Sequence, residues 1–324
     1  MWDFSVLQAL GLMRRTLPFI VLRMAVYFGM AAAYVIITGT GAGIGWGIGG
    51  FGDADFRAGA VFWGGAIGFG LTAGVLYLLR EYVLYIVKAG HVAVLVELMD
   101  NRPIPEGRSQ ISHATAVVKE RFGEASVLFA IDQLVKGVLG AITRLVQGLA
   151  SLLPIPGVPQ VMGLLRAFLN IAVGFVDEVI LAHAIRTRST NPWDSARTAL
   201  VLYGQNARVM LVNAAWLTVI TYGLSFLVFL LMLAPAALVV AAIPGAWSAG
   251  GLVFALIFAW AVKAALIEPF AITCMMQVYF RRTDGESPDP VWEQRLEGAS
   301  EKFRALGQRA AGALRPGRGA ERAA

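Results

Sequence analysis

The chain has 324 residues, of which 57% are hydrophobic and only 15% are charged. Soluble globular proteins carry about 25% charged residues, so this composition excludes an ordinary soluble domain and predicts a polytopic membrane protein with the lipid bilayer as its main partner. The net charge is +6. In a membrane protein such an excess is interpreted first as a signal of orientation, and no nucleic-acid partner is predicted.

The first fifteen residues, MWDFSVLQALGLMRR, do not have the pattern of a cleaved signal peptide. An acid stands near the start, the basic pair Arg14-Arg15 comes late, and no short apolar region leads to a small-residue cleavage site. We therefore expect no cleavage in this segment.

Six apolar runs predict an all-α bundle of six membrane-spanning helices, because about 20 apolar residues can cross a hydrocarbon core of about 30 Å. Their approximate extents are 17–39, 58–80, 124–152, 160–186, 207–233 and 247–280. The third run is the most amphipathic, since Asp132, Lys136 and Arg144 interrupt it.

Basic residues in the connecting segments predict the orientation. Arginine and lysine are concentrated before the first predicted span and after the second, fourth and sixth, whereas the other three loops together hold only Arg57. Positive residues mark the cytoplasmic side. Both termini are therefore predicted to be cytoplasmic, and the expected location is a bacterial inner membrane.

A glycine-rich stretch, TGTGAGIGWGIGG, covers Thr38–Gly50 at the outer end of the first predicted span. Gly45, Gly47 and Gly50 match the pattern G-x-G-x-x-G, which binds nucleotides only between a strand and a helix. Neither that context nor a cytoplasmic position is expected here, so the nucleotide-binding interpretation is rejected. The turn at Ile48–Phe51 is expected to be the most flexible of the outer turns.

The same glycines predict close helix packing. Residues spaced as small-xxx-small form a face on which two membrane helices can approach closely. The first two predicted spans carry such faces at Gly41, Gly45 and Gly49, and at Gly64 and Gly68.

Landmarks that recur in order suggest an internal repeat of amphipathic helix, span, outer turn and span. The outer turns are IGGF at Ile48–Phe51, IPGV at Ile155–Val158 and IPGA at Ile243–Ala246. The predicted hairpins cover approximately 1–103, 104–191 and 192–286 of a transmembrane domain 1–286. The alternative is that hairpins of membrane proteins resemble one another without being repeats.

Cytoplasmic segments restart with an aromatic residue and an acid, at Trp2-Asp3, Trp193-Asp194 and Trp292-Glu293. An acid in this position favours a helix N-terminus, because it caps free N–H groups and complements the helix dipole. The last restart opens region 287–324, which is predicted to form a basic amphipathic helix at the membrane surface, followed by a disordered tail.

Ionisable residues inside spans are costly and are therefore candidates for function. The predicted substrate or ion site consists of Glu178, Glu268, Asp132, Asp177, Lys263, Trp216, Tyr222 and Trp260. The carboxylates would attract a cation into an inner vestibule, and the aromatic faces would bind a quaternary ammonium group. The alternative is that the charges neutralise one another and hold the bundle together.

Two spacings within this set bear on the alternatives. Asp132 and Lys136 are four residues apart and share a helix face, so they can pair directly. Lys263 and Glu268 are five apart, on less aligned faces, and are expected to pair across helices instead. Pro269 removes a backbone hydrogen bond beside Glu268, which predicts a broken or kinked helix and a hinge there.

Patterns of catalytic residues are not found in the sequence. The three histidines, His91, His113 and His183, have no metal-ligand spacing, and no nucleophile elbow, zinc-protease or P-loop motif occurs. The single cysteine, Cys274, lies in an apolar run and is interpreted as a small buried side chain. The protein is therefore predicted not to be an enzyme and to need no cofactor or metal.

Two segments between Asp177 and Glu286 resemble the choline transporter-like family. The first is RTALVLYGQNARVMLVNAAWLTVI at Arg197–Ile220, and the second is CMMQVYFRRTDGE at the end of the last span. That family has more spans and a large outer loop, which this chain lacks. The resemblance implies movement of choline, ethanolamine or a similar small cation, which makes such a cation a candidate partner.

Two functions follow from these patterns. The first is a transporter or permease for a small organic cation, which requires a cavity lined by the carboxylates and aromatic residues. The second is a membrane scaffold or assembly factor without transport activity, in which the carboxylates are sealed in ion pairs.

Overall fold

The computed structural model describes residues 2–102, 104, 109–122, 125–151, 177–242 and 250–313. Every regular element in these ranges is helical, which confirms the predicted all-α class. The helices are α1 Val6–Arg15, α2 Leu17–Gly49, α3 Ala54–Met99, α4 Gln110–Phe122, α5 Ala125–Ser151, α6 Asp177–Arg186, α7 Pro192–Gln205, α8 Ala207–Ala242, α9 Gly250–Val262, α10 Glu268–Thr283, α11 Pro290–Ala299 and α12 Glu301–Ala313. A π-helix, Lys263–Ile267, joins α9 to α10.

The chain divides into two compact units, each built from separate stretches of sequence. Unit 1 comprises Met1–Thr16, Lys88–Val219 and Phe270–Ala324, and unit 2 comprises Leu17–Val87 and Ile220–Pro269. This division does not follow the boundaries of the three predicted hairpins, which remain a prediction.

Within the described ranges, four helices are long and apolar enough to cross a membrane. They are Leu17–Gly49, Ala54–Leu76, Ala207–Ala242 and Gly251–Thr283. These candidate membrane helices correspond to the first, second, fifth and sixth predicted spans. The third predicted span is α5, which is not among the four. Most of the fourth, at 160–176, lies outside the described residues. The six-span arrangement is therefore not confirmed.

The candidate membrane helices expose apolar side chains on their outer surfaces. In the most apolar window of Ala207–Ala242 only 6% of the residues are buried. Large exposed side chains along these helices include Ile36, Ile44, Phe62, Ile67, Leu71, Phe226, Leu227, Leu231 and Leu256. A contiguous apolar exterior of this kind is unfavourable in water and matches the hydrocarbon interior of a bilayer.

The glycines singled out in the sequence lie where α2 and α3 meet in unit 2. A Cβ atom built on Gly41 would overlap the carbonyl oxygen of Gly64, and one built on Gly45 would overlap that of Ala60. At Gly68 the added Cβ would lie 2.5 Å from the carbonyl oxygen of Ile37, and at Gly49 it would lie 2.6 Å from Arg57 Cα. The two helices are thus in backbone contact along several turns. Helix α2 continues through Gly49, so most of the glycine-rich stretch is helical.

Helix α3 extends beyond the second predicted span. The sequence predicts a cytoplasmic loop after residue 80, whereas the helix continues to Met99. Its last turns belong to unit 1, where Val92, Val94 and Leu95 are almost completely buried. The search for long apolar runs misses this part of α3 because protein, not lipid, covers its apolar face. A helix covered in this way can form without a long apolar run.

In unit 1 the amphipathic helix α5 packs against α7, α11 and α12. Leu139 and Ile142 on α5 are almost completely buried, as are Leu296 on α11 and Phe303 and Leu306 on α12. The sequence predicts one basic helix at the membrane surface in this C-terminal region. The structure instead has two helices separated at Ser300, and Leu296, Phe303 and Leu306 on them are buried within the unit.

Short helices precede long ones at three places: α1 before α2, α4 before α5 and α7 before α8. The predicted helix starts are confirmed at α7 and α11. Helix α7 is capped by Asn191 with Pro192 in its first turn, and α11 is capped by Asp289 with Pro290 in its first turn. Proline fits the first turn because its missing N–H would have no partner there.

Candidate functional site

The π-helix in unit 2 is the feature on which the candidate site is built. The Glu268 backbone N–H donates to the Lys263 carbonyl, five residues back, instead of to Ala264 as in an α-helix. The next residue is Pro269, which has no N–H to donate. The Ala264 carbonyl is therefore left without a partner from its own helix.

Arg23 of α2 supplies that partner. Its Nη2 and Nε donate to the Ala264 carbonyl oxygen at 2.8 and 3.3 Å. The side chain is only 1% exposed and also lies 3.9 Å from Glu268 Oε2. An interrupted helix inside a bilayer requires such a substitute donor, because no water is present to satisfy the carbonyl. Arg23 thus stabilises the π-helix from a neighbouring helix.

Lys263 and Glu268 pair directly within this segment, with Nζ and Oε1 2.9 Å apart. The sequence predicts that these residues face differently and pair across helices. Glu268 does lie 3.9 Å from Arg23 of α2, but the prediction that the two residues do not pair directly is wrong. It assumes α-helical geometry, in which residues five apart diverge. The π-helix has more residues per turn and brings positions five apart onto one face.

Three aromatic side chains surround these charges. Lys263 Nζ lies 5.4 Å from the centre of the Tyr222 ring, and the guanidinium carbon of Arg23 lies 5.9 Å from that of Tyr27. Trp260 contacts Tyr27 edge-on, with ring centres 5.2 Å apart. Trp216, the remaining aromatic residue of the predicted site, belongs to unit 1 and packs against Trp2.

Among the side chains that the structure describes, the charges in this cluster, which we call the Arg23 cluster (Arg23, Lys263 and Glu268), do not balance. Two basic side chains lie beside one carboxylate. An ammonium group already occupies the face of Tyr222, where an aromatic cage would hold a cationic ligand. The arrangement therefore attracts an anion more strongly than a cation.

An apolar groove of about 470 Å³ begins beside the cluster. It lies between α2, α3 and α9, and its walls include Met30, Tyr34, Phe69, Leu76, Leu256 and Trp260. Trp260 belongs both to this wall and to the aromatic contacts around the cluster. The groove suits an apolar chain, since its lining offers almost no hydrogen-bonding group.

The other predicted carboxylates lie in unit 1 and are also paired. Lys136 donates to Asp132 Oδ2 at 2.7 Å, as their spacing predicts, and Lys88 donates to Glu178 Oε1 at 2.9 Å. Both carboxylates are only 3% exposed. The side chain of Asp177 lies outside the described part of the structure.

A hydrogen bond between His183 and Tyr279 is a further feature of unit 1 that the sequence does not indicate. Tyr279 Oη lies 3.1 Å from His183 Nδ1, and both side chains are buried. The buried Cys274 matches its predicted role as a packing residue.

The four long apolar helices, with lipid-compatible outer surfaces, indicate an all-helical membrane protein. Within the ranges that the structure describes, no group of three His, Cys, Asp or Glu side chains is placed to hold a metal ion. The chain matches no protein-family model, no curated protein and no solved structure. Its function must therefore be argued from its own geometry.

Proposed function

We propose that the protein is a non-catalytic scaffold or assembly factor of the bacterial inner membrane, with both termini cytoplasmic. The observation that carries this proposal is the pairing of the carboxylates. Glu268, Glu178 and Asp132 each have a lysine ammonium within 2.9 Å. A cation site would need a carboxylate that is available to the ligand, whereas each of these carboxylates already has a cationic partner, and the Lys88–Glu178 pair joins α3 to α6.

The helix contacts support the same function. Backbone contact between α2 and α3 at Gly41 and Gly45 leaves no room for sliding or for a side-chain gate, because neither helix can shift without meeting the other backbone. A rigid helix pair is suited to presenting a fixed surface.

A permease for choline, ethanolamine or a similar small cation is the second candidate. It is favoured by the π-helix and Pro269 beside Glu268, since interrupted helices next to a charged group are a common element of transporter sites. The resemblance to the choline transporter-like family points the same way. In this candidate the substrate would have to displace Lys263 from Tyr222.

The repeat belongs to this proposal as well. Three short-then-long helix pairs support a unit of amphipathic helix followed by span. On this plan α5 would be the counterpart of α2 and α8, and the spans missing from the structural count would lie at α5 and 160–186. Cysteine accessibility from each side of the membrane, measured near residues 155 and 246, distinguishes the six-span plan from a four-span one.

A thermal-shift titration with choline, ethanolamine and tetramethylammonium distinguishes the two functions. For a scaffold we expect no concentration-dependent stabilisation of the purified protein and no choline uptake into proteoliposomes. Saturable stabilisation that disappears in Glu268→Gln, but persists in the control Glu301→Gln at an exposed position, would support the permease and contradict the scaffold. The variant Lys263→Met adds a second comparison, because it removes the ammonium group that lies over the Tyr222 ring. Stronger stabilisation by choline in this variant would support the permease.

A further inference from the structure

The Arg23 cluster lies at one end of the apolar groove, along the axes of α2 and α9. Trp260 lines the groove, and Lys263 follows it within one helical turn. On α2, Met30 lines the groove and Arg23 lies two turns earlier in the chain. Because α2 and α9 run in opposite directions, both helices place their charged residue at the same end. The site is thus an apolar groove with basic side chains at one end.

The charged end lies at a depth that suits a lipid headgroup. Counted along α9 from Gly250 at about 1.5 Å per residue, Lys263 lies roughly 20 Å from that helix end, and Glu268 lies roughly 27 Å from it. A hydrocarbon core is about 30 Å thick, so Glu268, whose carboxylate lies 2.9 Å from Lys263 Nζ, is near the boundary opposite Gly250. Tyr27, Tyr222 and Trp260 around it are the residue types that concentrate at this boundary.

Lys263 is the group available to a ligand. Its side chain is 21% exposed, and of its three N–H donors one is used on Glu268. Arg23 is 1% exposed and cannot reach a ligand, but its charge leaves the cluster positive overall. A phosphate that accepts a hydrogen bond from Lys263 would balance that charge.

We propose that unit 2 binds one anionic phospholipid, with its phosphate at Lys263 and one acyl chain in the groove beside Trp260. Basic positions between membrane helices on the cytoplasmic side are suited to anionic headgroups, and the groove offers the chain an apolar wall that is open to the bilayer at Leu256. The site is independent of the choice between scaffold and permease, since it requires only that these helices lie in a membrane.

The test compares stabilisation of the purified full chain by phosphatidylglycerol and by phosphatidylcholine of the same acyl chains. We expect saturable stabilisation by the anionic lipid alone. Lys263→Gln should weaken the apparent affinity about tenfold, the effect of losing one hydrogen bond to a charged group. Arg208→Gln, which removes an exposed cation at the end of another candidate membrane helix, should leave it unchanged. Equal stabilisation by both lipids, or equal loss in both variants, overturns the proposal.

Two further arms separate headgroup from chain. Soluble glycerol phosphate alone is expected to be ineffective at the same concentration, and full stabilisation by it would overturn the role of the groove. Phosphatidylglycerol with brominated acyl chains should quench the fluorescence of Trp260, so Trp260→Phe should reduce the quenched fraction. This readout needs no change at Lys263, and an unchanged quenched fraction in Trp260→Phe would also overturn the proposal.

Discussion

Replacement of Gly45 with alanine is expected to destabilise the protein by about 3 kcal/mol, the upper end of the range for overpacked sites. The new methyl group would overlap the Ala60 carbonyl oxygen and lie 3.0 Å from Val61 Cα. Both are backbone atoms, so relief requires the two helices to separate, whereas a side chain could rotate away. Leucine at Gly45 should prevent folding of the pair altogether. Unfolding by SDS titration of the protein in mild detergent measures the difference.

The matched controls lie on the same helix. Gly43 and Gly47 have no atom within 4 Å of an added Cβ. Alanine at either position should leave stability unchanged or raise it slightly, because alanine favours helix more than glycine does. If Gly43→Ala were as damaging as Gly45→Ala, backbone contact between α2 and α3 would not be the cause.

Replacement of Arg23 with methionine is expected to cost about 3–5 kcal/mol, the usual result of removing one member of a buried charged network. Two groups are affected at once. The Ala264 carbonyl loses its two donors, and Glu268 loses a buried positive neighbour 3.9 Å away, while Lys263 remains at 2.9 Å. Equilibrium unfolding in detergent measures this loss.

A double-mutant cycle with Pro269→Ala separates the two losses. Alanine restores a backbone N–H at position 269, which can pair with a carbonyl of the preceding turn. Arg23→Met should therefore cost less in the Pro269→Ala background than in the wild type. Additive effects would show that Arg23 acts through Glu268 alone and does not compensate for the proline.

The apolar runs at α2, α3, α8 and α9 correctly predict four helices that are long and apolar enough to cross a membrane, because length and apolarity are both properties of sequence. The same rule is insufficient for α5. That helix is apolar on one side, and its partners are α7, α11 and α12. Which surface covers an amphipathic helix depends on segments far away in the chain, and a window of sequence does not contain that information.

The site was predictable in its residues but not in its geometry. Lys263, Glu268, Tyr222 and Trp260 were identified because charges and aromatic residues in apolar runs are conspicuous. The direct pair between Lys263 and Glu268 is not predictable from the sequence pattern. It depends on a π-helix that Pro269 and a distant arginine stabilise together. Arg23 itself carried a usable signal, a lone arginine inside an apolar run, and a search for the carbonyl freed by Pro269 would have given it a role.

The π-helix also has a consequence for the length of the chain. A π-turn closes its hydrogen bonds one residue later than an α-turn, so Lys263–Ile267 contains one residue more than an α-helical path requires. Loss of Ala265 would let the segment close as α-helix while α9 and α10 keep their facing. Lys263 and the carboxylate would then be four apart, a spacing at which they still pair. The same loss within α8 would rotate everything beyond it by about 100°. We therefore expect the helix to tolerate the loss of one residue in this segment and not elsewhere along α8.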